Sequence, residues 1–137
     1  MTADDLGAVA QLHLDAYKVK WSLDGAKKYI DKFFRFEPES CFVVVEPDGR
    51  ITGAVVGYSF EKETGLTLFI QELIVHPEFR KRRYGRQLVT KLRDSLSKKA
   101  STVKVKPLVK ADTVTLGFYN SLGFERDKAV SFSFDED

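Results

Sequence analysis

The chain has little cysteine, little histidine and no apolar run long enough to span a bilayer. One cysteine, Cys41, excludes an internal disulfide and any site built from several cysteines, and the two histidines are far apart. We therefore expect no metal site. The N-terminus shows no signal-peptide pattern, so the cytoplasm is the expected compartment and no membrane partner is expected. The 137 residues, 43% hydrophobic and 31% charged, suit a single domain spanning 1–137.

Acidic residues are almost absent from one part of the chain. Residues 80–110 contain twelve Lys or Arg and one acid, Asp94, for a net +11, whereas the remainder carries −9. This asymmetry indicates an anionic partner, either a cofactor with several phosphates or nucleic acid. Nucleic acid is the weaker of the two because no recognition-helix motif or aromatic-basic face is evident. A solvated helix face is a sufficient explanation for Lys91, Arg93, Lys98 and Lys99.

The densest positive charge follows an apolar strand. Residues 66–75 are rich in Leu, Ile, Val and Phe, and Pro77 ends the strand because it cannot donate to a ladder. Apolar spacing then predicts an amphipathic helix through Tyr84, Leu88, Val89, Leu92 and Leu96. A loop that turns into a helix presents unpaired N–H groups at the positive end of the helix dipole. A phosphate site is therefore predicted, supported by Arg80, Lys81, Arg82, Arg83 and Arg86.

Two helices are predicted before the first strand. Thr2 can cap a helix that begins at Ala3, and Ser22 can cap a second helix that runs to about Phe36. A three-stranded antiparallel meander with short polar turns follows, over residues 41–45, 51–60 and 66–75.

The second half of the chain alternates helices and strands. The basic helix ends near Lys99, residues 102–106 alternate as a short strand, and a helix opening at 110–112 ends at Gly123. Residues 124–134 could supply one or two more strands. The strands before and after the basic helix would be parallel neighbours joined by a right-handed crossover. The predicted fold class is α/β, a mixed α+β sheet with helices on both faces and a ligand at the end of the central strand.

The strand, loop and helix described above resemble motif A of the GNAT superfamily of acyl-CoA-dependent N-acetyltransferases. That motif reads Arg or Gln, two residues, Gly, one residue, then Gly or Ala, after an apolar strand that ends in Val-x-Pro. Val75 and Pro77 match the approach, Arg80 takes the first position and Gly85 the last. Arg83 stands where the first Gly belongs, and we expect an Arg there to require an ordinary negative φ.

Residues 112–124 are similar to motif B of the same family. The positions that match in identity and spacing are Phe118, Tyr119, Gly123 and Phe124. Asp112 replaces the usual Asn, and Thr115 replaces the usual Ala. The resemblance covers roughly residues 1–130, with the family's usual first strand short or missing, because almost nothing precedes the first helix.

The resemblance implies transfer of an acetyl group from acetyl-CoA to a primary amine by direct attack in a ternary complex. The pantetheine would bond to the strand backbone at Leu73, Ile74 and Val75, and the N–H of Val75 could polarise the thioester. The pyrophosphate would be bound by the loop and helix start, made of Arg80, Lys81, Arg82, Arg83, Tyr84, Gly85 and Arg86. Asp112 would contact the pantetheine region or cap its helix.

The resemblance also suggests the groups that move protons. Tyr119 matches the family's frequent general acid, and its alternative role is packing against the sheet. Glu72 is the candidate general base, directly or through a water, because burial in an apolar strand would raise its pKa. An ion pair or strand-edge charge is the alternative for Glu72. Gln71 is expected on the opposite face of the strand, and a substrate wall or core packing is expected for Tyr17, Trp21 and Phe34.

Other functions stay open. A catalytically inactive acyl-CoA-binding module would explain the departures at Arg83 and Asp112, and a nucleic-acid-binding domain would explain the +11 segment. The acidic remainder favours a cationic amine acceptor, such as a polyamine, an aminoglycoside-like compound or a lysine side chain, and a protein N-terminus or a small amino acid also stays open. Alternation of Phe132 and Phe134 could form an edge that pairs with a second subunit, so a homodimer is also open.

Overall fold

The computed structural model describes residues 1–63, 65–99, 103–107 and 113–135. The helices in these ranges are α1 (Leu6–Tyr17), α2 (Leu23–Phe36), α3 (Tyr84–Ser97) and α4 (Thr113–Ser121). The strands are β1 (Cys41–Val45), β2 (Ile51–Lys62), β3 (Gly65–Val75) and β4 (Val103–Pro107). Short 3-10 turns lie at Ala3–Asp5, Pro38–Ser40 and Pro77–Phe79.

One of the two predicted helix caps is found in the structure, and the other residue begins a 3-10 turn. The backbone N–H of Thr2 donates to the carboxylate of Asp5 at 2.7 Å, so the chain starts with a 3-10 turn and α1 begins at Leu6 rather than at Ala3. The hydroxyl oxygen of Ser22 accepts the N–H of Gly25 at 2.9 Å, which confirms the predicted cap of α2.

The four strands form one sheet in the order β1-β2-β3-β4. Both β1–β2 and β2–β3 pair antiparallel, which confirms the predicted meander. Strand β4 pairs parallel with β3 over Leu66–Ile70, and α3 is the crossover between them. Because β3 continues to Val75, its last residues have no strand partner on the β4 side among the residues described.

Apolar side chains cover both faces of the sheet, as predicted. On one face, α1 and α2 pack through Leu6, Val9, Leu12 and Ile30 against Cys41, Ala54, Val56 and Ile74. On the other face, α3 packs through Leu88, Val89, Leu92 and Leu96 against Val55, Leu68 and Ile70. The two layers fix the ends of β3 and α3, where the predicted site residues lie.

The side chain of Cys41 belongs to the first of these two layers. Burial raises the pKa of the Cys41 thiol to about 11, consistent with a small buried apolar side chain. None of the described helices is both long and apolar enough to cross a bilayer.

The prediction of strands within residues 124–134 is wrong, since no strand occurs between residues 122 and 135. Lys106 of β4 contacts this segment through an ion pair with Asp127 at 3.2 Å, and the side chains beyond are exposed, with Phe132 at 93% and Phe134 at 85%. Alternation favours a strand only where a partner edge accepts its hydrogen bonds, and this segment has none in the described part of the chain. The described residues that precede α1, residues 1–5, contain no strand either.

Candidate active site

A β-bulge in β3 positions the candidate base. Val56 of β2 pairs with Glu72 and Gly57 pairs with Ile70, which leaves Gln71 as the extra residue of the bulge. The amide nitrogen of Gln71 donates to the Tyr29 hydroxyl at 3.0 Å, and the same hydroxyl acts as a hydrogen-bond donor to Glu72. The expectation that Gln71 lies on the opposite face is therefore wrong, because the bulge interrupts the alternation of side chains.

Glu72 lies in an apolar setting that disfavours its charge. Its side chain is 16% exposed, and burial raises its pKa to about 7, while the hydrogen bond from Tyr29 opposes that rise. Nε2 of His13 lies 3.6 Å from Oε1 of Glu72, and burial lowers the pKa of His13. Glu72 therefore faces a neutral ring rather than a permanent cation, and its carboxylate can accept a proton near neutral pH.

Tyr119 is buried at the end of α4. Gly123, with φ +91°, lets the chain turn so that the N–H of Phe124 donates to the carbonyl of Tyr119 at 3.1 Å, which confirms Gly123 as the helix stop. The rings of Phe118 and Phe124 lie 5.0 and 5.4 Å from the Tyr119 ring. Burial, and then the charge of Glu72, raise the pKa of Tyr119 to about 12, so the phenol stays protonated.

Tyr17 is influenced electrostatically by both Glu72 and Tyr119. Its hydroxyl donates to the carbonyl of Leu73 at 3.1 Å. Burial raises its pKa, and the charge of Glu72 and the phenol of Tyr119 raise it further. The coupling indicates that Tyr17, Glu72 and Tyr119 form one cluster at the open end of β3.

The backbone of β3 alternates between its two edges in this region. The N–H of His76 donates to the Thr52 carbonyl at 2.9 Å, so residues 72, 74 and 76 bond to β2, whereas Leu73 and Val75 face the opposite, open edge. Nε of Arg80 donates to the Val75 carbonyl there at 3.4 Å. The backbone groups of Leu73 and Val75 can therefore bind a ligand, while those of Ile74 are engaged in the ladder.

The basic loop adopts a different backbone from the one expected. Arg83 has φ +63° and Lys81 has φ +69°, so the expectation of a negative φ at Arg83 is wrong. Arg83 occupies the N-cap position, its side chain makes no capping bond, and the first helical bond runs from the Gln87 N–H to the Arg83 carbonyl at 3.0 Å. The N–H groups of the first turn, in Tyr84, Gly85 and Arg86, have no side-chain cap and can bind a phosphate.

The side chains of the loop and of the helix start have separate contacts. The guanidinium of Arg82 lies 4.7 Å from the centre of the Phe79 ring, and Nη2 of Arg86 donates to the Ser121 carbonyl at 3.4 Å. The hydroxyl of Tyr84 donates to Glu46 at 2.7 Å, which ties the start of α3 to the β1–β2 turn. The loop side chains that remain exposed to a ligand are Arg80, Lys81, Arg82 and Arg83.

Gly85 packs closely against a side chain of α4. A Cβ at this position would stand 3.1 and 3.3 Å from two atoms of the Phe118 ring. The close contact joins the start of α3 to α4, and thus joins the predicted phosphate loop to the helix that carries Tyr119.

The structure adds two residues to the site and leaves one prediction outside it. His13 and Tyr29 both adjoin Glu72, and the sequence offered only weak signals for them, such as the spacing that puts His13 and Tyr17 on one helix face. Asp112, together with the predicted helix start at 110–112, lies outside the described residues. Tyr17 and Trp21 are each 45% exposed at the rim of the site, and Phe34 packs against the core.

Within the described ranges, no group of three or more His, Cys, Asp or Glu side chains could hold a metal ion. The site combines an open strand edge, a free helix N-terminus with basic side chains, a buried carboxylate and a buried phenol. The first two fit the pantetheine and the pyrophosphate of a coenzyme A thioester, and the last two fit proton transfer to and from an acyl acceptor and a leaving group.

Solved structures share this architecture. A protein of Pyrococcus horikoshii OT3 matches with a TM-score of 0.78 and 19% identity over 96% of this chain and 87% of its own. The acetyltransferase AAC(6')-Iy, solved with the bisubstrate analogue CoA-S-monomethyl-acetylneamine, matches at 0.76 and 16% over 100% and 95%. The ribosomal-protein-alanine N-acetyltransferase of Brucella melitensis biovar Abortus 2308 matches at 0.74 and 14% over 99% and 96%.

The fold is thus one that acetyltransferases use. The sequence model of the Acetyltransferase (GNAT) family matches residues 6–124, and the chain belongs to this family. The predicted membership of the GNAT superfamily is therefore confirmed, and the family accounts for the mixed sheet with helices on both faces.

Proposed function

We propose that the protein transfers an acetyl group from acetyl-CoA to a primary amine, with Glu72 as general base and Tyr119 as general acid. The observation that carries the proposal is the buried carboxylate of Glu72, with a pKa of about 7, beside the open backbone edge of β3. A carboxylate whose pKa is close to 7 is partly ionised at physiological pH and still has a useful affinity for the proton of the amine.

Cosubstrate binding is supported by two sets of donors. The N–H groups of Leu73 and Val75 face the open edge of β3, where an extended pantetheine can add as a further strand. The N–H groups of residues 84–86 and the exposed Arg80 and Arg83 lie at the start of α3, where the helix dipole favours a pyrophosphate. Each charge-assisted contact would contribute about 1.5–3 kcal/mol.

The chemistry follows from these positions. An alkylamine with a pKa of about 10 arrives as an ammonium ion, and Glu72 removes one proton from it directly or through a water. The free amine attacks the thioester carbon, and the N–H of Val75 stabilises the negative charge that develops on the carbonyl oxygen. When the carbon–sulfur bond breaks, Tyr119 donates its proton to the departing thiolate. The attacking nitrogen loses its second proton as the amide forms, and the Tyr119 phenolate takes up a proton in its place, directly or through water.

The acceptor is proposed to be a cationic amine. Tyr17 and Trp21 present half-exposed rings beside the Glu72 carboxylate, and aromatic faces with a carboxylate favour an ammonium group. The ring centres of Trp21 and Tyr29 are 5.6 Å apart, so both can line the path to Glu72.

The test is a panel of amines incubated with acetyl-CoA, with products detected by mass spectrometry. Glu72→Gln and Tyr119→Phe should each lower kcat by about 10²–10⁴-fold on the best acceptor, as expected for loss of a general base or acid. The exposed Glu61→Gln and the half-buried Tyr58→Phe, both in β2, are matched controls that should keep full activity.

Two outcomes would contradict the proposal. Calorimetric binding of acetyl-CoA without turnover of any amine would identify an inactive acyl-CoA-binding module. Binding to DNA or RNA that falls steeply with salt and is unaffected by excess coenzyme A would identify a nucleic-acid-binding domain.

A further inference from the structure

His13 is a buried titratable side chain that the proposed chemistry does not use. It lies on α1, is 7% exposed, and its ring centre is 5.0, 6.1 and 5.9 Å from those of Tyr17, Trp21 and Tyr29. Nε2 lies 3.6 Å from Oε1 of Glu72. Nδ1 is buried and has no hydrogen-bond partner among the described residues.

These contacts select one tautomer. Burial lowers the pKa of His13, so the ring is neutral near pH 7 and carries one N–H. A proton on Nδ1 would be a buried donor without an acceptor, and the lone pair of Nε2 would then face the ionised carboxylate of Glu72. A proton on Nε2 removes both costs, because the ring then presents a donor to Glu72. The unpaired group that remains at Nδ1 is an acceptor, which is tolerated more often than a buried unpaired N–H.

The other groups around this pair leave a role for such a donor. Tyr17 on α1 and Tyr29 on α2 are neutral because burial raises the pKa of each, and Tyr119 on α4 is neutral for the same reason. The positive charge of Arg80 lowers the pKa of Tyr17, against the larger rise that burial causes. Among the contacts described, Tyr29 is the direct donor to Glu72, and Nε2 of His13 lies 3.6 Å from the same carboxylate.

We propose that His13 is a positioning residue for the base, which donates from Nε2 to the ionised carboxylate of Glu72 and holds it toward the acceptor. The 3.6 Å separation closes to a hydrogen bond when Glu72 ionises, and it lengthens when Glu72 is protonated. The link to catalysis rests on the proposed function, whereas the donor contact itself does not.

The contact can be tested without any turnover. In protein labelled with 13C at the glutamate carboxyl carbons, the Glu72 signal is assigned by its loss in Glu72→Gln and is titrated by NMR. In His13→Leu we expect the midpoint to rise by about half to one pH unit, less than a full charge-assisted hydrogen bond would give because the two atoms start 3.6 Å apart. His13→Gln, whose amide can donate at a similar reach, should return the midpoint to the wild-type value.

Two further variants separate a donor role from a packing role. His13→Asn is too short to reach Glu72 and should behave as His13→Leu does, which keeps the test valid if the leucine variant does not fold. Leu12→Ala removes a neighbouring buried side chain of α1 and should lower stability without moving the midpoint. Equal midpoints in the wild type and in His13→Asn or His13→Leu would overturn the proposal.

Kinetics then test the catalytic consequence. The acidic limb of the pH profile of kcat/KM should move to higher pH together with the NMR midpoint. The kcat/KM of His13→Leu should therefore be about 3–10-fold below that of the wild type at pH 6 and almost equal to it at pH 9. A purely structural role would lower the rate at all pH values, and that result would overturn the positioning role. A shifted midpoint in a protein that acetylates no amine would support the donor contact and contradict the proposed function alone.

Discussion

The indole ring of Trp21 lies against Gly25, so closely that a Cβ on residue 25 would overlap Nε1 and stand 2.9 Å from Cδ1. Gly25 belongs to the first turn of α2, where almost any other residue favours the helix more. The glycine is therefore explained by the ring that it accommodates. Trp21 is the one tryptophan of the chain, and it is held at the rim of the site with one part exposed.

Gly25→Ala should displace this ring and gain no stability. Gly7 lies in the first turn of α1 with nothing within 4 Å of a Cβ, so Gly7→Ala should stabilise the fold by up to about 1 kcal/mol through helix propensity. In Gly25→Ala that gain should be cancelled by loss of the contacts of Trp21 with His13 and Tyr29. The measurements are urea unfolding and tryptophan emission, which should shift to the red in Gly25→Ala only. An unchanged spectrum would contradict the tight contact.

The raised pKa of Glu72 should make the free energy of unfolding fall as the pH rises. Because its pKa is about 4.5 in the unfolded chain and about 7 in the folded chain, the native state binds the extra proton. The stabilising contribution of the protonated form is complete below the unfolded pKa and is lost as the pH rises through 7. Glu72→Gln should therefore gain about 2–3 kcal/mol over the wild type between pH 5 and pH 8.5, because a tenfold difference in proton affinity corresponds to about 1.4 kcal/mol.

The comparison is made by chemical denaturation at both pH values. Glu61→Gln, an exposed carboxylate at the end of β2, is the matched control and should show no such difference. A constant gap between Glu72→Gln and the wild type from pH 5 to pH 8.5 would mean that burial does not raise the Glu72 pKa in solution.

Arg83→Gly should stabilise the protein although it removes a charge. The φ of +63° costs an ordinary residue about 1–2 kcal/mol, and a glycine adopts it freely at the expense of about 0.5–1 kcal/mol of chain entropy. We expect a net gain of about 0.5–1 kcal/mol by thermal or urea unfolding. Arg83→Ala removes the same side chain while keeping the Cβ, so it should give no gain. Equal stability of the alanine and glycine variants would contradict the backbone argument.

Local patterns were sufficient to predict most of the fold. The four-residue spacing through Leu88, Leu92 and Leu96 and the turns of the meander depend on near neighbours in the chain, and the structure confirms both. The cap at Ser22 belongs to the same class of signal, whereas Thr2 begins a 3-10 turn rather than the predicted helix. The motifs then selected the basic loop as the predicted phosphate site and the helix of Tyr119 as the predicted source of the acid.

Features that depend on pairing between distant segments were not predictable in this way. The bulge at Gln71 arises from the register of β2 against β3, and it reverses the expected side of that residue. His13 reaches Glu72 through the packing of α1 on the sheet, and Gly85 meets Phe118 through the packing of α3 with α4. The alternation before Phe134 predicted a strand because periodicity carries no information about whether a partner edge exists.

The backbone of Val75 offers a test of the open edge. Val75 and Gly53 are a pair that exchanges no ladder hydrogen bonds, so Val75→Pro should remove the N–H that faces the open edge while leaving the ladder intact. If that N–H stabilises the charge on the thioester oxygen, kcat should fall by about 10²-fold or more, a larger effect than the weakening of acetyl-CoA binding expected from loss of one of several donors. Ile74→Pro, one residue earlier, breaks the ladder with β2 and should lower the melting temperature sharply. A Val75→Pro variant that folds and keeps full kcat would mean that the N–H of Val75 is not the oxyanion donor. The N–H of Leu73, on the same edge, would then be the next candidate.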